Sequence, residues 1–224
     1  MIEGIKACVF DAYGTLLDLA SAVARYADVP EAKRAALVAL SRDKQLQYMW
    51  LRSLQHRHAD FAAVTADALD FALEATSLTN PERRRALLRL YQTLSVYPEV
   101  PATLAALKAS GLVTAILSNG TPAMLEAAVD HGTIATLLDH VLSVESVGIF
   151  KPAPEAYQLA IDRLGVAREE ICFISSNGWD AYGAAAFGFQ VVWCNRAEQP
   201  AERLPGAPNA VVRSLDALPA LIVG

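Results

Sequence analysis

The chain has 224 residues, of which 54% are hydrophobic and 19% charged, enough for a large core in one domain or in one domain with an insertion. A formal net charge of −5 argues against a general nucleic-acid-binding surface, which would need clustered Lys and Arg. No run approaches the roughly 20 apolar residues of a membrane helix, and we expect no export signal. Cys8, Cys172 and Cys194 lie in apolar runs without CxxC spacing, which favours buried thiols in a reducing cytoplasm.

Short apolar runs recur along the chain and alternate with helical patterns. This alternation is typical of a parallel sheet with helices on both faces. We therefore predict an α/β fold with a Rossmann-like core. The predicted strands are 6–10, 112–117, 140–143, 171–175, 191–194 and 209–212. The predicted helices of this core are 102–108, 122–130, 154–164, 181–187 and 215–221.

The stretch between the first two predicted strands contains no convincing strand. Its apolar spacing predicts amphipathic helices at 31–56, 65–75 and 81–94, and Asn80 followed by Pro81 is typical of a helix N-cap and first turn. We therefore predict a core domain of residues 1–16 and 98–224, with a helical cap subdomain at 17–97 inserted after the first strand. A cap that emerges beside the active-site edge of a sheet is placed to act as a lid.

Polar residues follow four of the predicted strands. They are Asp11 and Thr15 after the first strand, then Ser118-Asn119-Gly120-Thr121, Lys151-Pro152 and Ser175-Ser176-Asn177-Gly178-Trp179-Asp180. Because parallel strands end at the same edge of a sheet, we expect these side chains to converge on one pocket. That pocket would hold a carboxylate nucleophile, hydroxyl and amide donors, a cation and a second carboxylate.

The segments FDAYGTL, LSNG, KP and SSNGWD, in this order and spacing, resemble the four motifs of the haloacid dehalogenase superfamily. The resemblance covers essentially the whole chain, including the inserted cap. Most of that superfamily are phosphatases. They hold Mg²⁺ with the nucleophilic Asp, a backbone carbonyl two residues on and an acidic residue of the fourth motif. They also place a second Asp, as the acid, two residues after the nucleophile.

This chain departs from the phosphatase pattern at both places. Its fourth motif begins with Ser175 and Ser176, without an acidic pair, and Tyr13 stands where the acid would be. Tyrosine is not a comparable acid at neutral pH. Both departures favour a pocket without a metal and a leaving group that needs no proton, such as halide.

In both departures the chain resembles one subgroup of the superfamily, the L-2-haloacid dehalogenases. The segment SRDKQLQYMWLRSL is also similar to the first long cap helix of that subgroup. The resemblance implies hydrolysis of short (S)-2-haloalkanoic acids to (R)-2-hydroxy acids with release of halide ion, without cofactor or metal. Asp11 would attack C2 and form an ester, and water would then attack the ester carbonyl. We expect a cytoplasmic protein without a nucleic-acid or membrane partner, and a homodimer, as relatives form.

The resemblance also implies roles for individual residues. Lys151 would keep the buried Asp11 ionised, and Asp180 would orient Lys151. The carboxylate and the hydrolytic water would be held by Thr15, Ser175 and Asn177.

The resemblance further implies contacts with the substrate. Ser118 would bind the substrate carboxylate, and the halide would be held by Arg42, Asn119 and Trp179. Tyr13 and Tyr157 would lie beside the substrate, and Phe61 and Leu46 on its alkyl side. Arg42 is chosen over Arg34, Arg52 and Arg57 by its match to the cap motif, with Gln45 and Tyr48 beside it.

Two alternatives stay open. One is a small-molecule phosphatase of the same superfamily, which Tyr13 and the serines of the fourth motif argue against. The other is a non-catalytic or redirected member, such as a ligand-binding protein or a hydrolase acting on another activated C2 carbon. The presence of Asp11, Lys151 and Asp180 argues against loss of catalysis but leaves the substrate open. The sequence does not indicate which halogen is removed.

Overall fold

A six-stranded parallel sheet forms the centre of the fold. The computed structural model describes residues 1–19 and 28–222. The strands are β1 (Ala7–Phe10), β2 (Val113–Ser118), β3 (His140–Ser143), β4 (Ile171–Ser175), β5 (Gln190–Cys194) and β6 (Ala210–Val212). Their order across the sheet is β3-β2-β1-β4-β5-β6. The predicted α/β fold is confirmed, and each predicted strand is present.

Strand β1 lies in the middle of the sheet and is buried along its whole length. It pairs with β2 on one side and β4 on the other, so that Phe10 lies opposite both Ile116 and Ile174. A strand covered on both faces needs a continuous apolar run, which explains the sequence of β1. The chain builds one half of the sheet outward from β1 and then the other. The carboxyl ends of β1 and β4 therefore flank the point where the strand order reverses, which is where open α/β sheets bind ligands.

The helices fall into two groups, those of the inserted range predicted as the cap and those that directly precede or follow strands β2 to β6. The inserted helices are α1 (Glu31–Leu54), α2 (Phe61–Ala75) and α3 (Pro81–Leu90). The others are α4 (Val100–Ala109), α5 (Pro122–His131), α6 (Pro154–Leu164), α7 (Gly178–Phe187) and α8 (Leu218–Ile222). Within the described residues, none of the helices combines the length and apolarity needed to cross a bilayer.

The inserted helices have a small apolar cluster of their own, separate from the main core. Its buried members are Val29, Leu37, Leu69, Ala72, Leu73, Leu78 and Leu87. The chain leaves and re-enters the core at adjacent points, because Tyr97 N donates to Leu16 O at 3.0 Å and Leu17 forms an antiparallel bridge with Val96. We propose that these paired segments separate core from cap, as the sequence predicts for 17–97. Residues 20–27 of that range lie outside the described residues.

Several helix ends differ from the predicted ones for local reasons. Helix α2 begins at Phe61, earlier than predicted, because Asp60 caps it and its Oδ1 accepts from Ala63 N at 2.7 Å. Helix α1 ends at Leu54 rather than at residue 56, where His56 has a left-handed φ of 53°. Helix α7 begins at Gly178, earlier than predicted. Its first turn therefore carries Gly178, Trp179 and Asp180, the last residues of the fourth motif. The helix fixes the directions in which the Trp179 and Asp180 side chains leave the backbone.

The predicted N-cap residue of α3, Asn80, provides a test of local stability within the helical cap subdomain. Asn80 Oδ1 accepts from Glu82 N at 2.8 Å and from Arg83 N at 2.9 Å. We expect Asn80→Ala to lower the free energy of unfolding by about 1 kcal/mol, because both amides lose their acceptor. Asn80→Ser, which can still cap, should retain most of the stability. Urea denaturation followed by circular dichroism measures both. Equal loss in the two variants would contradict the capping role.

Candidate active site

The predicted site residues converge at the carboxyl edge of the sheet. Asp11 follows β1, and the turn after it is tight because Gly14 adopts a left-handed φ of 84°. A Cβ at Gly14 would also meet Ser176 Oγ at 3.2 Å. The turn brings Thr15 back beside the nucleophile candidate, with Thr15 Oγ1 donating to Asp11 Oδ2 at 3.1 Å. The local sequence thus presents a carboxylate and a hydroxyl to the same space.

Lys151 lies between two carboxylates and is fully buried. Its Nζ is 2.9 Å from Asp11 Oδ1, 2.7 Å from Asp180 Oδ2 and 3.0 Å from the carbonyl oxygen of Leu117. An ammonium group has three protons, and each has an acceptor here. Lys151 is therefore a fixed positive charge beside Asp11, with no proton left over for a substrate.

Burial alone would lower the pKa of Lys151, but the negative charges of Asp11 and Asp180 outweigh it and raise this pKa above its ordinary value of 10.5. Burial has the opposite effect on the carboxyl group of Asp180 and raises its pKa; the Lys151 charge opposes this rise and the Asp11 charge reinforces it. The far oxygen of Asp180, Oδ1, accepts a hydrogen bond from the hydroxyl of Tyr157 at 2.8 Å. The cation is thus stabilised by its carboxylates, and Asp180 is anchored from behind.

The second oxygen of Asp11 is held by neutral donors. Besides Thr15, Asn177 Nδ2 donates to Asp11 Oδ2 at 2.9 Å, and the same amide nitrogen lies 3.2 Å from the carbonyl oxygen of Tyr13. Thr15 Oγ1 is itself fixed by the Ser176 backbone amide at 2.8 Å. Oδ2 therefore accepts from two side chains, whereas Oδ1 accepts from Lys151 alone among the described contacts. The Lys151-side oxygen retains an unused lone pair.

The cap contributes a cation to the same place. Arg42 on α1 donates from Nη2 to Asn177 Oδ1 at 3.0 Å and from Nη1 to Gln45 Oε1 at 2.6 Å. Gln45 is buried and donates in turn to Thr65 Oγ1 on α2 at 2.7 Å. Arg42 thus bridges cap and core in a fixed orientation. The expected support from Gln45 is present, whereas the ring of Tyr48 lies near Lys44 instead.

A small cavity opens over Asp11. Its volume of about 10 Å³ is room for about one water molecule. Its lining residues are Asp11, Tyr13, Arg42, Met49, Phe61, Ser118, Asn119, Asn177 and Trp179. Two of them carry buried polar atoms without a partner among the described residues, the Tyr13 hydroxyl and Trp179 Nε1. Buried polar groups are normally paired, and these two atoms still have a hydrogen bond to make.

A larger cavity of about 230 Å³ lies beside the first and shares Tyr13, Arg42 and Asn177 with it. Its other lining residues, mostly apolar, are Gly14, Leu19, Leu37, Val38, Ser41, Leu69, Leu87, Tyr91 and Tyr97. The hydrogen bond between Arg42 and Asn177 therefore lies between a small polar chamber over Asp11 and a larger apolar one.

Three predicted site residues lie in other surroundings than expected. Tyr157 does not line the cavity over Asp11; it is buried among Phe173, Phe187 and Phe189 and reaches only Asp180 in the site. Ser175 Oγ accepts from the backbone amide of Asn177 at 3.1 Å rather than holding Asp11. Leu46 packs against the main core and is absent from the cavity wall. In each case packing of the parent helix or strand sets the side-chain direction, which the motif alone does not give.

Two residues of the site were missed in the sequence. Met49 lines the cavity two helical turns after Arg42, so the spacing of α1 could have indicated it. Glu145, which follows β3, accepts from Phe61 N at 2.9 Å and lies 2.8 Å from His58 Nε2. It ties the core to the start of α2, whose first residue lines the cavity. No local pattern marks this contact, because it joins residues far apart in the chain.

The buried charge arrangement predicts a contrast in stability. Asp180→Asn should lower the free energy of unfolding by about 3 kcal/mol, because Lys151 loses one of its buried partners. Asp67→Asn, which removes the exposed ion pair with Arg52, should cost less than about 1 kcal/mol. Urea denaturation at neutral pH compares them. Similar losses in both variants would contradict the account.

The stability of the Asp180→Asn variant has a predictable pH dependence. Because the folded pKa of Lys151 is raised, its stabilisation is complete below the ordinary value of 10.5 and is lost as pH rises through the folded value. Removing the Asp180 charge lowers that folded value, so the alkaline fall in stability should begin at lower pH than in the unchanged protein. A fall at the same pH in both proteins would count against the assignment.

Comparisons with known proteins agree with the motifs. A family model described as haloacid dehalogenase-like hydrolase matches residues 5–188. The chain is 46% identical to (S)-2-haloacid dehalogenase 1 of Pseudomonas sp. (strain CBS-3), over 99% of this chain and 98% of that protein. It also resembles the crystal structure of a dehalogenase, with 44% identity, a TM-score of 0.96 and 100% of both chains covered.

A further solved structure is similar over nearly the whole chain. It is the L-2-haloacid dehalogenase of Xanthobacter autotrophicus with chloropropionic acid covalently bound, at 36% identity and a TM-score of 0.90, covering 97% of this chain and 98% of that one. The match of the family model and the identity to curated relatives lead to one conclusion. The chain belongs to the haloacid dehalogenase-like hydrolases.

Proposed function

We propose that this protein hydrolyses short (S)-2-haloalkanoic acids to (R)-2-hydroxy acids through an ester on Asp11, without a metal ion. The names of its relatives support the substrate class, and the covalently bound chloropropionic acid of the Xanthobacter autotrophicus relative supports a covalent route. The observation that carries the proposal is the position of Asn177 Nδ2, against Asp11 Oδ2 and the carbonyl oxygen of Tyr13.

That amide nitrogen lies against two oxygens that phosphatases of the superfamily would give to Mg²⁺, the nucleophilic carboxylate and the carbonyl two residues on. An amide NH₂ is a donor, and Mg²⁺ requires an octahedral shell of oxygen ligands. The acidic residue of the fourth motif is replaced by serine, and Asp180 is already paired with Lys151. Within the described residues, no group of three His, Cys, Asp or Glu side chains is placed to hold a metal. The residues present do not fit Mg²⁺.

Among the described residues that line the cavity, no side chain is suited to act as an acid for an oxygen leaving group. Tyr13 occupies the phosphatase acid position, and burial, with the charges of Tyr91 and Asp11 adding to it, raises its pKa far above the ordinary value of 10.0. The protons of Lys151 are already taken by Asp11, Asp180 and a backbone carbonyl. A leaving group must therefore depart as a stable anion, which halide does and an alkoxide does not.

In the first step, the Lys151-side oxygen of Asp11 attacks C2 from the side opposite the halogen. A C–O bond forms, the carbon–halogen bond breaks, and halide leaves with the electron pair, so the configuration at C2 inverts. Arg42, Asn119 and Trp179 line the cavity where the negative charge emerges. Donors directed at charge that appears only in the transition state lower the barrier selectively.

In the second step, water attacks the ester carbonyl of Asp11. The water oxygen stays on Asp11, and the original Asp11 oxygen leaves with the product. One water proton ends on the product hydroxyl and the other is released to solvent. Asp180 is the available base, because burial raises its pKa and Lys151 links it to Asp11. Thr15 and Asn177 keep the carboxyl group of Asp11 in place throughout. Assembly as a homodimer and a cytoplasmic location remain predictions.

Halide release from matched substrates tests the reaction. Chloroacetate and (S)-2-chloropropionate should release chloride, and (S)-2-chloropropionate should yield (R)-lactate, whereas (R)-2-chloropropionate should be inert. Asp11→Asn should reduce turnover by at least about 1,000-fold, as removal of a nucleophile does. Equal rates for the two enantiomers, or faster hydrolysis of a phosphate ester such as p-nitrophenyl phosphate, would reject the proposal.

Metal independence is tested separately. Dialysis against a chelator should leave chloroacetate turnover unchanged, and added Mg²⁺ should not raise it. Asn177→Asp should lose activity, because the donor to Asp11 becomes a second carboxylate and repels it. A clear Mg²⁺ requirement in the unchanged enzyme would overturn the metal-free argument while leaving the substrate class intact.

A further inference from the structure

Met49 lies in the cavity wall and is almost completely buried, with 1% of its surface exposed. It is carried by α1, two helical turns after Arg42, so both side chains lie on the same face of that helix. It therefore lines the same cavity as Arg42, Asn119 and Trp179, the residues assigned to the halide in the proposed reaction.

The hydrogen bonds of Asn119 single out Met49 within that group. Asn119 Oδ1 accepts from the backbone amide of Lys151 at 3.0 Å, which fixes the orientation of the side-chain amide. Its Nδ2 then faces Met49 Sδ at 3.6 Å. A thioether sulfur is a weak acceptor, so this donor is poorly satisfied. Trp179, another residue of the cavity wall, has a buried Nε1 without a partner among the described residues. An anion entering beside Met49 would meet under-used donors.

The other walls of this space are held in place. Arg42 is bonded to Gln45 and Asn177, and the Trp179 ring packs edge-on against Trp50 at 5.7 Å between ring centroids. Met49 is the unbranched, polarizable member, with rotatable bonds that let it adapt to irregular spaces. Because the cavity has room for only about one water molecule, a larger halogen requires a larger displacement of its wall than a smaller one does.

We propose that Met49 is the adjustable wall of the halide subsite and determines which halogens the enzyme accepts. This inference rests on the proposed dehalogenase function and extends it to halogen selectivity. Movement of the thioether makes room for chloride and bromide, while its resting position beside Asn119 keeps the subsite small. Selectivity among halogens is then a property of Met49 rather than of the fixed donors.

The test compares fluoroacetate, chloroacetate and bromoacetate, which differ only in the halogen. Met49→Ala should raise the bromoacetate to chloroacetate ratio of kcat/KM by about 10-fold or more, the scale on which methylene groups in an apolar pocket discriminate. Met49→Leu conserves volume but is branched and lacks sulfur. It should keep chloroacetate turnover and lower the bromoacetate to chloroacetate ratio. Leu40→Ala, on the same helix but outside the cavity wall, should leave the bromoacetate to chloroacetate ratio unchanged.

Uniform changes on all three substrates in both Met49 variants, or ratios equal to those of Leu40→Ala, would overturn the inference. Titration with sodium fluoride, chloride and bromide at constant ionic strength, followed by tryptophan fluorescence, gives a second readout. Met49→Ala should bind bromide more tightly relative to chloride than the unchanged protein does. If the unchanged protein releases no halide at all, the proposed function fails, and the inference is then judged by this titration alone. A ratio of bromide to chloride affinity in Met49→Ala equal to that of the unchanged protein would reject the inference.

Discussion

The buried ammonium group of Lys151, bonded to two carboxylates and a backbone carbonyl, is the interaction on which the rest of the site depends. A charge taken out of water costs several kcal/mol unless it is paired and hydrogen-bonded. Satisfying Lys151 requires the ends of β1 and β2, the loop before α6 and the first turn of α7 to meet at one point. Tyr157 completes the arrangement by holding the far side of Asp180. The sheet order supplies this meeting point, because β1 lies between β2 and β4.

The site is assembled from two parts of the chain. The sheet edge carries Asp11 and the groups that hold it, whereas the helices between β1 and β2 supply Arg42, Met49 and Phe61. Contacts across the boundary join them, from Arg42 to Asn177 and from Glu145 to the amide of Phe61. The resulting chamber has room for about one water molecule. A 2-haloacid, the proposed substrate, exceeds that space, so its binding has to displace side chains or helices.

Periodicity and motif order were enough to predict the strands, most helices and the nucleophile candidate, because these depend on local composition. The directions of individual side chains were harder to predict from the sequence. Tyr157 lies at the predicted helix but faces an aromatic cluster and Asp180, since the packing of α6 on the sheet turns it away from the cavity. Asp60 capped α2 earlier than the apolar spacing indicated. The contact of Glu145 with Phe61 joins residues brought together only by the complete fold, so no window of sequence could reveal it.

The proposed reaction depends on Asp11 acting on carbon as a nucleophile, held by Lys151 and Asn177 in place of a metal. A single turnover in H₂¹⁸O, with enzyme in excess over (S)-2-chloropropionate, tests it most directly. We expect one heavy oxygen in the proteolytic peptide that contains Asp11, and an unlabelled 2-hydroxy acid. Heavy oxygen in the product after this first turnover, with the peptide unlabelled, would mean that water attacks C2 itself and would contradict the account.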